Sequence, residues 1–165
     1  MSEAREFKYI GQSTIRPDGF DKVTGRANYG ADLSLPGMIW GKILRSPHAH
    51  AIIKRLDTSR AEAFPGVLAV ATHSDFPSVT DQAIESGEGS LTLLDLARNV
   101  LAKDKVLYHG HAIVAIAAKT SAIAEQALAL IDIEYEVLKP VMDVREAMAA
   151  GAPILHPDMF TQGLA

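Results

Sequence analysis

His48 and His50 stand two residues apart, and His109 and His111 repeat the spacing. On a strand, that spacing puts both rings of a pair on one face, within reach of a metal. Each pair flanks a turn, however, and no third ligand stands at a metal-binding spacing, so the four read as surface or turn histidines. Ser46 and Ser74 could be nucleophiles, with a histidine nearby and, for Ser74, Asp75. Neither sits in a Gly-x-Ser-x-Gly elbow, and no order of triad partners emerges. Ser74-Asp75 before Pro77 reads as a turn. Gly87-x-Gly89 faintly resembles a phosphate loop, but it follows no predicted strand, opens no predicted helix and lacks the Lys-Ser/Thr of a Walker loop. It reads as a flexible linker. Glu134 and Glu136 could be paired carboxylates; because they alternate with apolar residues, a solvated strand face is the expectation. Tyr29, Trp40 and Phe76 fit either interface anchors or core packing, and both readings stay open. No catalytic, cofactor-binding or metal-ligating residue is assigned.

The elements that must carry these residues centre on Lys105 to Pro140. Lys105 to Tyr108 is extended and leads to the turn at His109-Gly110-His111. Ala112 to Ala118 is apolar throughout, as a strand covered on both faces and lying inside a sheet must be. Thr120 or Ser121 can cap the following helix, without the Glu or Gln that completes a capping box. Ile123, Ala127, Leu130 and Ile131 form its apolar stripe, with Glu125 and Gln126 facing away. Ile131, Ile133, Tyr135 and Val137 then alternate with Asp132, Glu134 and Glu136, a half-buried strand that Pro140 ends.

Upstream, turn residues at Gly11, Pro17-Asp18-Gly19 and Thr24-Gly25 suggest an arm laid over something, or a frayed terminus, with a short strand at Arg26 to Tyr29. Met38 to Leu44 and His50 to Leu56 read as strands, with the Ser46-Pro47 turn allowing them to pair as an antiparallel ribbon. Asp57-Thr58-Ser59 can cap a helix from Arg60 to Phe64, and Val67 to Ala71 is a further strand. From Ser78 to Arg98 the pattern fails, which implies a long loop. Asp143 can cap a helix reaching Ala150, ended by Gly151. The apolar residues of the tail from Gly151 to Ala165 have no evident core of their own.

The chain has 165 residues, 48% hydrophobic and 22% charged, with net charge -4. That suffices for one α+β (mixed α/β) domain with a real core. No long basic run suggests nucleic acid, and no apolar stretch is long enough to span a bilayer. Without a signal-like start the expected compartment is the cytoplasm. The absence of cysteine excludes disulfides, a thiol nucleophile and cysteine-held iron–sulfur clusters within these residues.

Three blocks follow one another in order. The first is Asp21-Lys22-Val23-Thr24-Gly25-Arg26-Ala27-Asn28-Tyr29, with Asp32 and Leu35-Pro36-Gly37-Met38. The second runs from Leu44 to Ala51, followed by Leu56-Asp57 and Pro65-Gly66-Val67. The third is Leu101 to Val106, Gly110-His111 and Ala124 to Leu138. Together they resemble the N-terminal a/b hammerhead domain of the molybdopterin-binding large subunit of the xanthine dehydrogenase/aldehyde oxidase family, from about Gly11 to Ala150. His109 stands where that family more often has an apolar residue, His111 where it commonly has Gln, and Lys119 where it usually has an acid.

The resemblance implies an a/b hammerhead-like sheet with packed helices: a loose stretch at 1–8, the domain at 9–150 with its long loop at 78–98, and a tail at 151–165 leading to C-terminal domains. It implies a non-catalytic structural or assembly role in an oxidoreductase acting on aldehydes or N-heterocycles, with relatives acting on carbon monoxide or 4-hydroxybenzoyl-CoA. The molybdopterin cofactor would sit in the C-terminal domains, and iron–sulfur clusters and FAD in partner domains or subunits. A free-standing binding or assembly module is the alternative, and a small hydrolase using His48 and His111 ranks last.

Overall fold

The structure is a computed structural model describing residues 7–76, 83–86 and 89–156, with the backbone alone at 83–86 and 89–95. In chain order the elements are α1 (Gly19–Val23), β1 (Trp40–Arg45), β2 (Ala51–Asp57), α2 (Ser59–Glu62), β3 (Val67–Ala71), β4 (Ala83–Ser86), β5 (Gly89–Thr92), α3 (Leu93–Val100), β6 (Lys105–Val106), β7 (Ala112–Ala118), α4 (Ser121–Leu128), β8 (Asp132–Val137) and α5 (Val144–Ala147). Short 3-10 turns occupy Gly30–Asp32 and His73–Asp75. The chain divides into two compact units, Met1–Met38 and Ile39–Ala165.

The second unit holds two antiparallel three-stranded sheets, ordered β1-β7-β3 and β6-β2-β8, and the hairpin β4-β5. β7, seven residues long without a polar side chain, is the central strand of its sheet, where a strand paired on both edges is best covered. Thr120 caps α4 by accepting from the Ile123 N–H at 3.2 Å. Ala124 and Ala127 are fully buried, and such small side chains let the helix lie close to the sheet. One core joins both sheets: Ile113, Val114, Ile116 and Ala118 of β7 meet Ala51 of β2, Val106 of β6 and Ala61 of α2. Burying each larger aliphatic stabilises by about 1.5–3 kcal/mol. Along β8, Ile133 and Tyr135 pack on this core while Asp132, Glu134 and Glu136 are exposed.

Several expectations are corrected. β1 and β2 do not form a ribbon. Each enters a different sheet, because Ser46 bonds elsewhere and Pro47 has no N–H to donate. No strand forms at Arg26–Tyr29, since the Arg26 and Ala27 N–H groups both go to the Asp21 carbonyl. The turn residues Pro17-Asp18-Gly19 instead lead into α1, whose end the same two bonds close. The segment 78–98 is not a structureless loop: it contains β4, β5 and most of α3. The apolar patch from Leu91 to Leu96 is short for either element because it straddles the junction of a strand and a helix. The helix expected over Arg60–Phe64 sits at Ser59–Glu62, and α5 ends before Ala150, although Asp143 does cap it through the Arg145 and Glu146 N–H groups. No described helix is long and apolar enough to cross a membrane.

In the first unit no described residue is buried. The Asp18 carboxylate accepts from Arg16 at 2.5 Å and pairs with Lys22 at 3.0 Å, and these two cations hold its pKa below the ordinary value.

Gly66, in the turn before β3, has φ +93°. A Cβ there would lie 2.8 Å from Ile123 Cδ1 of α4. Gly66→Ala is therefore expected to destabilise by about 1–3 kcal/mol in urea unfolding. Adding Ile123→Val removes the clashing carbon, so the double variant should lose less than the sum of the single losses; strict additivity would show that the contact is unimportant.

Candidate functional site

The two histidine segments converge. Ser46 donates its N–H to the His111 carbonyl at 2.9 Å, and Gly110 donates to the Ser46 carbonyl at 3.0 Å. Arg45 reaches the Gly110 carbonyl at 2.9 Å. Glycine suits the turn because Gly110 adopts φ +82°. Ser46 is 2% exposed. Its hydroxyl lies 3.0 Å from both the N–H and the carbonyl of His48. Burial pushes the Tyr135 phenol above its ordinary pKa, and the Ser46 hydroxyl opposes that rise. Among the described residues no imidazole nitrogen bonds Ser46, so the group that would make it a nucleophile is not in place.

His111 is 0% exposed. Its Nδ1 accepts the Leu107 N–H at 3.2 Å, and its Nε2 lies 3.0 Å from the Arg98 carbonyl. A carbonyl only accepts, so Nε2 carries the proton and the ring is neutral with both nitrogens satisfied. The Tyr108 ring stacks on it at 4.4 Å. Burial pulls the His111 pKa below the ordinary histidine value; the backbone carbonyl bonds oppose this and His156 adds to it. His50 is also buried, and its Nδ1 lies 3.1 Å from the Lys139 carbonyl. The expectation of surface or turn histidines is thus corrected for His50 and His111, both buried, each with one ring nitrogen facing a backbone carbonyl distant in sequence. His48 packs edge-on against Tyr135 at 4.9 Å, and His109 is exposed.

The remaining candidates stay apart. Asp75 accepts the Thr72 N–H at 2.7 Å, and Thr72 Oγ1 accepts the Ser74 N–H at 3.2 Å, so Ser74 and Asp75 build a reciprocal cap. Neighbouring His73 is shifted below its ordinary pKa by burial and by Lys103, and its ring lies 6.0 Å from Phe76. Glu136 pairs with Lys54, and Glu134 lies 4.0 Å from Arg55, on the exposed face expected. Tyr29 and Trp40 are exposed, while Phe76 is half-buried. Gly87 lies outside the described residues, and Gly89 begins β5, which corrects the linker reading there. Among the described residues no three His, Asp or Glu side chains gather as a metal site would require.

Sequence reasoning missed a cleft of about 370 Å³ beside His50, bordered by Tyr108, Pro140, Met142, Pro153 and Leu155. The signal for it was the tail's apolar residues without a core of their own, since Pro153 and Leu155 line it.

Two antiparallel sheets, one of them backed by α4 and α2, are spliced through paired turns into a mixed α+β domain in which backbone groups engage Ser46 and both nitrogens of His111. Residues 24–139 match the family model described as the a/b hammerhead domain of aldehyde oxidase and xanthine dehydrogenase. The chain belongs to that family. It is 43% identical over 146 residues to a probable xanthine dehydrogenase component of Bacillus subtilis, covering 88% of this chain and 18% of that protein. It is 35% identical over 156 residues to the carbon monoxide dehydrogenase large chain of Afipia carboxidovorans, covering 94% and 18%. A crystal structure of a Cu,Mo-CO dehydrogenase superposes with a TM-score of 0.76 at 35% identity, covering 92% of this chain and 18% of that one. The chain thus spans about 18% of the length of these relatives.

His111→Leu should destabilise the chain by about 1–3 kcal/mol for the stranded Leu107 N–H alone, whereas His111→Gln, whose amide offers both N–H donors and a carbonyl acceptor, should lose less. The folded pKa of His111 is depressed. Its contribution is therefore fully present above the unfolded value of about 6.5 and is lost as pH falls through that value toward the folded one. Urea midpoints from pH 7.5 to 4.5 should fall less steeply for His111→Gln than for the unmodified chain, with His73 keeping part of the slope. Equal slopes would remove His111 from the pH response.

Proposed function

We propose that this chain is a non-catalytic structural and assembly domain of the large subunit of a molybdenum-dependent oxidoreductase of the xanthine dehydrogenase/aldehyde oxidase type, inactive by itself. One observation carries this reading: residues 24–139 match a domain model while the chain spans 18% of its relatives. The domain proper is residues 9–150, with 151–165 leading onward.

The molybdopterin cofactor belongs, on this reading, to domains C-terminal to this one. The described residues do not fit it: no three-donor cluster exists among them, both His111 nitrogens are engaged, and the Ser46 hydroxyl serves the His48 backbone. No catalytic step is assigned to this chain. Iron–sulfur clusters and FAD reside in partner domains or subunits, a placement supported by the absence of cysteine here. The assembly works in the cytoplasm. The exposed Ile10, Ile15, Phe20 and Val23 of the first unit support an arm that docks neighbouring domains of the large subunit.

Blotting of the native polypeptide should give a band several times heavier than 17.7 kDa, and the purified subunit should contain molybdenum. A band at 17.7 kDa would favour a free-standing binding or assembly module instead.

A further inference from the structure

The cleft beside His50 has an unusual lining. Among the described residues no Asp, Glu, Lys or Arg borders it, and its volume of about 370 Å³ is far beyond what a single water fills. His50 is 6% exposed. Because its Nδ1 faces the Lys139 carbonyl, that nitrogen carries the ring proton and Nε2 presents a lone pair. Nε2 is buried with no hydrogen-bond partner among the described residues. Buried acceptors are normally paired, so this one calls for a donor from outside the described residues.

The rim adds a second requirement. Met142 is 80% exposed, Tyr108 also faces solvent, and Val144 and Met148 lie exposed at either end of the adjoining α5. A small ligand seated by His50 would leave that apolar surface wet, whereas a polypeptide segment covers both. The relatives carry most of their length outside the part this chain matches.

We propose that the cleft receives an apolar side chain bearing an N–H or O–H donor, a tryptophan or tyrosine, from a segment of the same large-subunit polypeptide beyond residue 165. The inference rests on the domain reading above. The donor meets His50 Nε2, the ring fills the apolar cleft, and the flanking segment covers Met142 and the α5 surface. Aromatic residues with a polar tip suit such a site because one end is buried and the other bonded.

The test uses the full native polypeptide carrying Met142→p-benzoylphenylalanine, a position exposed enough to leave the fold intact. Irradiation, digestion and mass spectrometry should join the peptide containing position 142 to one peptide beyond residue 165 that contains Trp or Tyr. His50→Leu should lower the yield roughly tenfold through loss of the acceptor. His50→Gln, which can bond Lys139 and still present an oxygen, should largely restore it. A crosslink to a second copy, another subunit or a small molecule overturns the proposal, as does no crosslink at all; each leaves the domain reading standing if the polypeptide is heavy. A native polypeptide of 17.7 kDa overturns both.

Discussion

Two backbone hydrogen bonds between the Ser46 turn and the Gly110-His111 turn hold the architecture together. They let β1 and β2, only five residues apart, serve different sheets. Each such bond contributes a modest net amount, on the order of 1 kcal/mol. Their importance lies in the asymmetry: with Ser46 almost fully buried, breaking them would strand peptide groups away from water at a cost of about 1–3 kcal/mol each. Arg45 reinforces the same turn from the surface. The shared core follows, because only with the two sheets so joined can Ala51, Val106 and the β7 residues pack together.

The central unit was legible because local pattern and tertiary role agree there. β7 is apolar on both faces because it is central, α4 is capped by its own Thr120, and β8 alternates from Asp132 to Glu136 because one face is wet, although Val137, expected on the covered face, is exposed. The split of β1 and β2 was not legible. A Ser-Pro turn between two apolar runs is what a hairpin shows, and what decides otherwise is His111, distant in sequence. The short elements failed for another reason. α1 and the β4-β5 hairpin are too brief for a period to declare itself, and turn residues occur in them as readily as in loops.

The histidines show the same divide. Spacing alone treats His109 and His111 as equivalent, yet one is exposed and the other fully buried. The carbonyl of Arg98 and the N–H of Leu107, which make His111 tolerable in the interior, are oriented by α3 and β6. With its one donor and its one acceptor both engaged by backbone groups, the neutral imidazole supplies bonding capacity there rather than acid–base chemistry. His50, at the entrance to β2, is satisfied on one nitrogen only among the described residues, a difference invisible in the letters.

The splice between the turns has a consequence for how the chain is made. Arg45 and the Gly110 carbonyl are 65 positions apart, and β1 has no sheet neighbour until β7 follows them. At ribosomal rates of about 5–20 residues per second, roughly three to thirteen seconds pass between the emergence of the two turns. During that interval β1 and β3 are strands without the one that lies between them, exposing edges and apolar side chains. The β1-β7-β3 sheet therefore closes only once its central strand, the last of the three to be made, has emerged.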